Sequence, residues 1–136
     1  ASGEILVVWE DDDIYLPHHL SSHVAAMEGR LWSKPSKVLS DYTGDVKEED
    51  ATGRFHASLA LTRSAFEQVG GWPLTLRGDF DQQLIARLSS VGIPGNPRET
   101  GPPSYVFRWN STGAYHGQAI MRGPNDERWY ERVLDR

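Results

Sequence analysis

The chain has 136 residues, of which 38% are hydrophobic and 24% are charged, and its formal net charge is −5. This length predicts one domain with a single core, and the negative charge argues against non-specific nucleic-acid binding, which depends on Lys and Arg. Cysteine is absent, which excludes disulfides and zinc–thiolate sites but does not identify the compartment. A reducing interior is compatible with this composition, and a cytoplasmic location is our expectation. No segment has the roughly 20 apolar residues of a membrane span.

An apolar segment that runs directly into four acidic residues lies at the start of the chain. Residues 5–9 read Ile-Leu-Val-Val-Trp, which predicts a strand buried on both faces, as in the centre of a parallel sheet. The acids Glu10, Asp11, Asp12 and Asp13 follow it. Open α/β sheets bind ligands beyond the carboxyl ends of such strands, and a divalent cation would offset the repulsion among adjacent carboxylates. The alternative is a solvated acidic turn.

A helix is predicted from Pro17 to Met27, after the acidic residues. Its apolar residues recur at helical spacing, and we expect them to pack on the sheet: Leu20, Val24 and Met27. His19 and His23 are one turn apart on this helix, so they could bind a metal. Because no third ligand is near them in sequence, solvated imidazoles are the expected alternative.

Short strands and loops are predicted for the middle of the chain. Residues 37–42 predict a strand, residues 44–53 a polar loop, and residues 55–62 a strand with one apolar face. Ser64 and Glu67 have the spacing of a capping box, which predicts a short helix that the next two glycines end.

A longer helix is predicted over residues 77–91, with an apolar stripe formed by Phe80, Leu84, Leu88 and Val91. Asp79 lies near its amino end, where an Asp could cap the helix or act as a general base. Residues 105–109 predict a further strand, and residues 125–136 predict a terminal helix whose acids precede its basic residues.

Three of these segments resemble family-2 glycosyltransferases of the GT-A fold. The strand followed by residues 10–17, Glu-Asp-Asp-Asp-Ile-Tyr-Leu-Pro, resembles the family's metal-binding DXD segment. Residues 57–72, which end in Gly-Gly-Trp, resemble its second block. Residues 79–81 resemble its Glu-Asp-x-Asp/Leu motif, although Gly78 replaces the usual Glu. The resemblance implies an α/β fold, with a partial GT-A-like sheet flanked by helices.

The resemblance also implies a reaction and the residues that perform it. The reaction is an inverting, metal-dependent transfer of a sugar from a nucleotide-diphosphate donor to a hydroxyl acceptor. Asp79 is implied as the catalytic base, and a Mn²⁺ or Mg²⁺ ion would be bound by Asp12, Asp11 and His116. Substrate contacts are implied for Glu10, Asp11, Trp72, Asp81 and Trp109.

The family's nucleotide-binding half has no counterpart in this sequence. We therefore expect residues 1–136 to be one domain, the metal- and acceptor-binding half of a GT-A-like glycosyltransferase, and a fragment inactive by itself is one alternative. An uncovered sheet edge would favour a homo-oligomer. Two other functions are compatible with the acids: a non-catalytic domain that binds sugars or cations, and a Mg²⁺-dependent phosphohydrolase, for which an ordered downstream Lys and Ser/Thr motif is missing.

Overall fold

The computed structural model describes residues 3–42, 44–73 and 80–109. Within these ranges the chain forms two β-sheets, three α-helices and two short 3-10 helices. The predicted mixture of helices and strands is confirmed. The terminal helix predicted over residues 125–136 lies outside the described residues.

The first sheet has three strands, which lie in the order β1 (Ile5–Val7), β6 (Ala60–Thr62) and β3 (Trp32–Ser33). Both pairs are antiparallel, and Leu61 of β6 lies opposite a residue of each neighbour. The prediction of a central, doubly buried strand in a parallel sheet is therefore wrong for β1, which is antiparallel and is an edge strand among the described residues. Ile5 is 36% exposed, because only the face that carries Leu6 packs against the core.

The second sheet has four strands, in the order β2 (Ile14–Tyr15), β7 (Tyr105–Phe107), β4 (Lys37–Ser40) and β5 (Lys47–Asp50). The β4–β7 pair is parallel and the other pairs are antiparallel. The strands predicted near residues 37 and 105 are confirmed. The loop predicted over residues 44–53 is wrong in part, because β5 occupies its middle. All four residues of this strand are charged, and an exposed edge position tolerates such a sequence.

The first helix, α1 (His19–Ala26), lies inside the predicted range but buries a different face. Leu20 and Val24 are 52% and 55% exposed, whereas His19 and His23 are each only 1% exposed. The predictions of an apolar stripe through Leu20 and Val24 and of solvated histidines are therefore wrong.

Serine hydroxyls explain how the two histidines can be buried. The Nδ1 atom of His19 shares a hydrogen bond of 2.8 Å with Ser104 Oγ, and the Nδ1 atom of His23 shares one of 2.8 Å with Ser33 Oγ. Ser33 belongs to β3 and Ser104 immediately precedes β7. The buried imidazoles thus attach α1 to both sheets.

The strand predicted over residues 55–62 is confirmed only for Ala60–Thr62, because His56–Ser58 form a 3-10 helix. Phe55 has φ 56° and ψ 51°, a left-handed conformation that interrupts an extended strand. The next helix, α2 (Arg63–Gln68), is capped by the Thr62 hydroxyl, which accepts a hydrogen bond from the backbone of Ala65. The predicted capping role of Ser64 is therefore wrong.

Helix α3 (Phe80–Val91) covers the first sheet. Its Leu84 and Leu88 are fully buried, as the apolar stripe predicted. They join the largest described core cluster, together with Trp32, Leu59, Leu61 and Ala65. The core therefore fixes the first turn of α3, which carries Asp81, relative to β6 and the segment that leads into it.

Candidate metal and ligand site

The acidic residues form a turn that leads from β1 in the first sheet to β2 in the second. Glu10, Asp12 and Asp13 each offer a carboxylate oxygen, and these three oxygens lie within 4.8 Å of one another. Opposite oxygens on an octahedral ion with bonds of about 2.1 Å are about 4.2 Å apart, so a small side-chain adjustment would fit them to Mg²⁺ or a similar hard cation. The donor set and its spacing fit a divalent ion.

Asp13 is held by two hydrogen bonds from the far end of the described chain. The Tyr105 hydroxyl donates to Asp13 Oδ2 at 2.5 Å, and the Arg108 backbone N–H donates to Oδ1 at 3.1 Å. Burial and the charge of Asp13 raise the pKa of Tyr105 far above its usual value of 10.0, so this phenol remains a donor. Because a carboxylate oxygen accepts more than one bond, Asp13 keeps capacity for a cation.

Tyr15 connects the acidic turn to a second loop. The Glu10 backbone N–H donates to Tyr15 Oη at 2.9 Å, and the Tyr15 hydroxyl donates to the Ala57 carbonyl at 3.1 Å. Trp9 stacks on the Tyr15 ring with a centroid distance of 4.1 Å. Burial is the main cause that raises the pKa of Tyr15, so its proton stays on the hydroxyl. Tyr15 thereby couples the backbone of Glu10 to that of Ala57.

A cavity of about 300 Å³ lies between these two segments. Glu10 and Asp13 line one side of it, and Asp81, from the first turn of α3, lines it as well. The remaining lining residues include charged and aromatic side chains: Arg54, Phe55, His56, Gln82, Tyr105 and Phe107. Its volume is at the lower end of the range for small-molecule sites.

The part of the cavity wall that Arg54 and Phe55 form is held in a strained conformation. A non-glycine residue in the left-handed region, such as Phe55, costs about 1–2 kcal/mol. The Lys34 ammonium donates to the Ala51 and Arg54 carbonyls, both at 2.7 Å, and the Ser58 hydroxyl donates to the Phe55 carbonyl at 2.7 Å. Burial lowers the pKa of Lys34 to about 8, against the opposing charge of Asp50. These bonds fix the loop in spite of the strain.

His56 in the same wall is 9% exposed. Burial, followed by the positive charge of Lys34, lowers its pKa from 6.5, while Asp81 opposes the shift. Arg54, which lines the same cavity, is paired with the Glu49 carboxylate at 3.5 Å.

The residues that the sequence predicted for the site do not all lie together in the structure. Glu10 and Asp12 belong to the three-carboxylate cluster, and Asp81 lines the adjacent cavity. Trp109 lines a neighbouring cavity, whereas Trp72 lines a separate groove beside β1. Asp11 is exposed and is not one of the three clustered acids, so its role stays a prediction. Asp79 and His116 lie outside the described residues.

Several residues of the site were not predicted from the sequence. Asp13 was visible as part of the acidic run, but nothing in the sequence pairs it with Tyr105, which lies 92 positions later. The roles of Tyr15 and Arg54 likewise depend on tertiary contacts between distant segments. No local motif carries that information.

Comparisons of the chain with protein-family models, curated proteins and solved structures gave no match. The GT-A resemblance therefore depends on the three sequence motifs. Among the described helices, none combines the length and the apolar character needed to cross a membrane.

Proposed function

We propose that this chain is the metal- and acceptor-binding part of an inverting, GT-A-like glycosyltransferase that uses a nucleotide-diphosphate sugar. The observation that supports the proposal is the convergence of Glu10, Asp12 and Asp13 beside a cavity that Asp81 also lines. In the sequence these acids belong to the two motifs that resemble the family's metal-binding and acceptor-side motifs. The fold brings residues of both motifs to one place.

The proposed metal site is built on the acidic turn. Glu10, Asp12 and Asp13 would hold the ion, with Asp11 and His116 as further predicted ligands. When bound, a Mn²⁺ or Mg²⁺ ion would neutralise the charge of the leaving diphosphate. Tyr105 and the Arg108 backbone keep the Asp13 carboxylate in position for this task.

The proposed acceptor side is the amino-terminal region of α3. Asp79 would accept the proton of the attacking hydroxyl, as a positioned carboxylate can in general base catalysis. Asp81 lines the cavity with Glu10 and Asp13, where its carboxylate could accept a hydrogen bond from a substrate hydroxyl. Arg54 also lines this cavity and offers it guanidinium donors.

Titration of the protein with Mn²⁺, in the presence and absence of UDP and measured by calorimetry, tests the metal site. We expect wild-type protein to bind Mn²⁺, UDP to strengthen this binding, and Asp12→Asn to weaken it by about tenfold or more, because a neutral amide replaces an anionic ligand. Glu28→Gln is the matched control, since Glu28 is an exposed acid outside the cluster. Equal Mn²⁺ binding by wild type and Asp12→Asn would contradict the assignment.

A further inference from the structure

A second cavity, of about 260 Å³, adjoins the acidic one and has mainly aromatic walls. We call it the aromatic cavity; its lining residues are Ser40, Tyr42, Arg54, Phe55, Phe107 and Trp109. Three of them, Arg54, Phe55 and Phe107, also line the acidic cavity. The two cavities therefore share one wall, and a ligand of two connected parts could occupy both.

The aromatic rings of this cavity form a continuous array. The Tyr42 and Trp109 rings meet edge to face with centroids 5.2 Å apart, and the Phe107 and Trp109 rings are 5.4 Å apart with a tilt of 35°. Phe55 meets Phe107 at 4.9 Å. Tyr42 is 53% exposed, so the array reaches the surface at that end.

Two backbone features hold the array in position. The Asp41 carboxylate accepts a hydrogen bond from the Trp109 backbone N–H. Phe55, at the other end, has the left-handed backbone conformation described above. Strained non-glycine residues persist where the surrounding structure enforces them, and they concentrate at ligand sites. Phe55 lines both cavities.

The chemistry of the lining selects among ligands. The Arg54 guanidinium is paired with the Glu49 carboxylate at 3.5 Å and lies over the Phe55 ring, 4.6 Å from its centroid. One face of this ring therefore already carries a cation and is not offered to a second one, such as a quaternary ammonium group. No carboxylate is among the residues that line the cavity in the described part of the chain. Aromatic faces beside hydroxyl and guanidinium groups suit a neutral ring that has an apolar C–H face and a rim of hydroxyls.

We propose that the aromatic cavity is a subsite for one pyranose ring of a saccharide acceptor, with Trp109 and Tyr42 as the stacking residues. The adjacent ring would then lie toward the acids and the first turn of α3. That this saccharide is the acceptor rests on the proposed glycosyltransferase function. Saccharide binding in this cavity needs neither a metal ion nor a nucleotide, so it can be measured separately.

The test measures the binding of a panel of disaccharides to the full chain in the presence of EDTA. The panel consists of α- and β-linked hexoses and N-acetylhexosamines, and binding is measured by saturation-transfer NMR and calorimetry. We expect at least one disaccharide to bind, and Trp109→Leu and Tyr42→Leu to weaken its binding by about threefold to tenfold each, the value of an aromatic contact. Trp109→Phe and Tyr42→Phe, which keep a ring, should bind within about twofold of wild type. Ile93→Ala removes exposed apolar surface elsewhere and should have no effect.

Three results would overturn the proposal: no disaccharide in the panel binds, the leucine variants bind as well as wild type, or UMP and GMP bind at this cavity in place of saccharides. Tyr42 is more than half exposed, so its variants should fold even if those of Trp109 do not. Asp12→Asn should keep saccharide binding in EDTA. A failure of the metal site would therefore leave this result intact, and the two proposals can fail independently.

Discussion

Tyr105 serves the core and the candidate site at once. Its side chain is 1% exposed and packs with Val38 and Ala51 beneath the second sheet. Its hydroxyl donates to Asp13 in the acidic turn. The packing of the core therefore determines where one of the three clustered carboxylates lies.

Tyr105→Phe tests this connection, because it keeps the buried ring and removes only the hydroxyl. A hydrogen bond to a charged group contributes about 1.5–3 kcal/mol, so we expect the free energy of unfolding in urea to fall by about that amount. Tyr42→Phe, at a site that is 53% exposed, is the control and should change it by less than about 0.5 kcal/mol. Equal stabilities of wild type and Tyr105→Phe would show that the hydroxyl contributes nothing to folding.

At the level of secondary-structure elements, hydrophobic periodicity predicted where α1 lies but not which face it buries. Leu20 and Val24 have the spacing of a core stripe, yet the helix buries His19 and His23. The hydroxyls of Ser104 and Ser33 make this possible, and both lie on other elements. Sequence patterns record local spacing, so they miss polar residues that become buried through distant partners.

Burial of these imidazoles predicts an acid-sensitive fold. Burial is the main cause that lowers the pKa of His19 and of His23 from 6.5 to about 4; His18 adds to the shift of His19, and the backbone of Ser58 opposes that of His23. Between pH 6.5 and 4 the unfolded chain therefore binds more protons than the folded one. We expect the free energy of unfolding to decrease as the pH is lowered through this window, by up to about 1.4 kcal/mol per pH unit for each histidine.

Urea denaturation at several pH values between 7.5 and 4 measures this dependence. His19→Leu should have a shallower profile than wild type across the same window, since one titrating group is removed. Leu20→Gln is the control, because Leu20 lies on the exposed face of the same helix and has no titrating group, so its profile should have the wild-type slope. Parallel profiles for wild type and His19→Leu would contradict the prediction.

For the molecule as a whole, the sequence predicted the mixture of helices and strands and part of the site, but not the division into two sheets. The acidic run and Asp81 were both identified, and the fold places Glu10, Asp13 and Asp81 around one cavity. Strand pairing was not predicted, because β1 pairs with β6, more than fifty positions away, and β2 pairs with β7. Short apolar segments specify strands, while their partners are selected by the folded core.

The open side of β1 predicts self-association. Among the described strands, β1 pairs only with β6. A groove of about 560 Å³ beside it is lined mainly by apolar side chains, among them Ile5, Leu6, Phe66 and Trp72, and also by Arg63 and Glu67. An exposed apolar edge is a template for another chain. We expect wild type to form dimers or larger species in sedimentation at micromolar concentration. Ile5→Lys should shift the protein toward the monomer. Ile93→Lys, at a residue that is 73% exposed, is the control and should leave the oligomeric state unchanged. A monomeric wild type would refute the prediction.

The bonds that hold Asp13 also have a consequence for the order in which the molecule is made. Asp13 emerges from the ribosome long before Tyr105 and Arg108, which follow it by 92 and 95 positions. Until both partners have been synthesised and the intervening chain has closed, which is slow for contacts of such separation, Asp13 lacks these two hydrogen bonds. A nascent chain that stops short of Tyr105 would carry all four acids of the turn and Tyr15, yet it would lack the bonds from Tyr105 and Arg108 to Asp13. The final arrangement of the candidate site would therefore be completed in one of the last steps of folding, although its acids are among the first residues to appear.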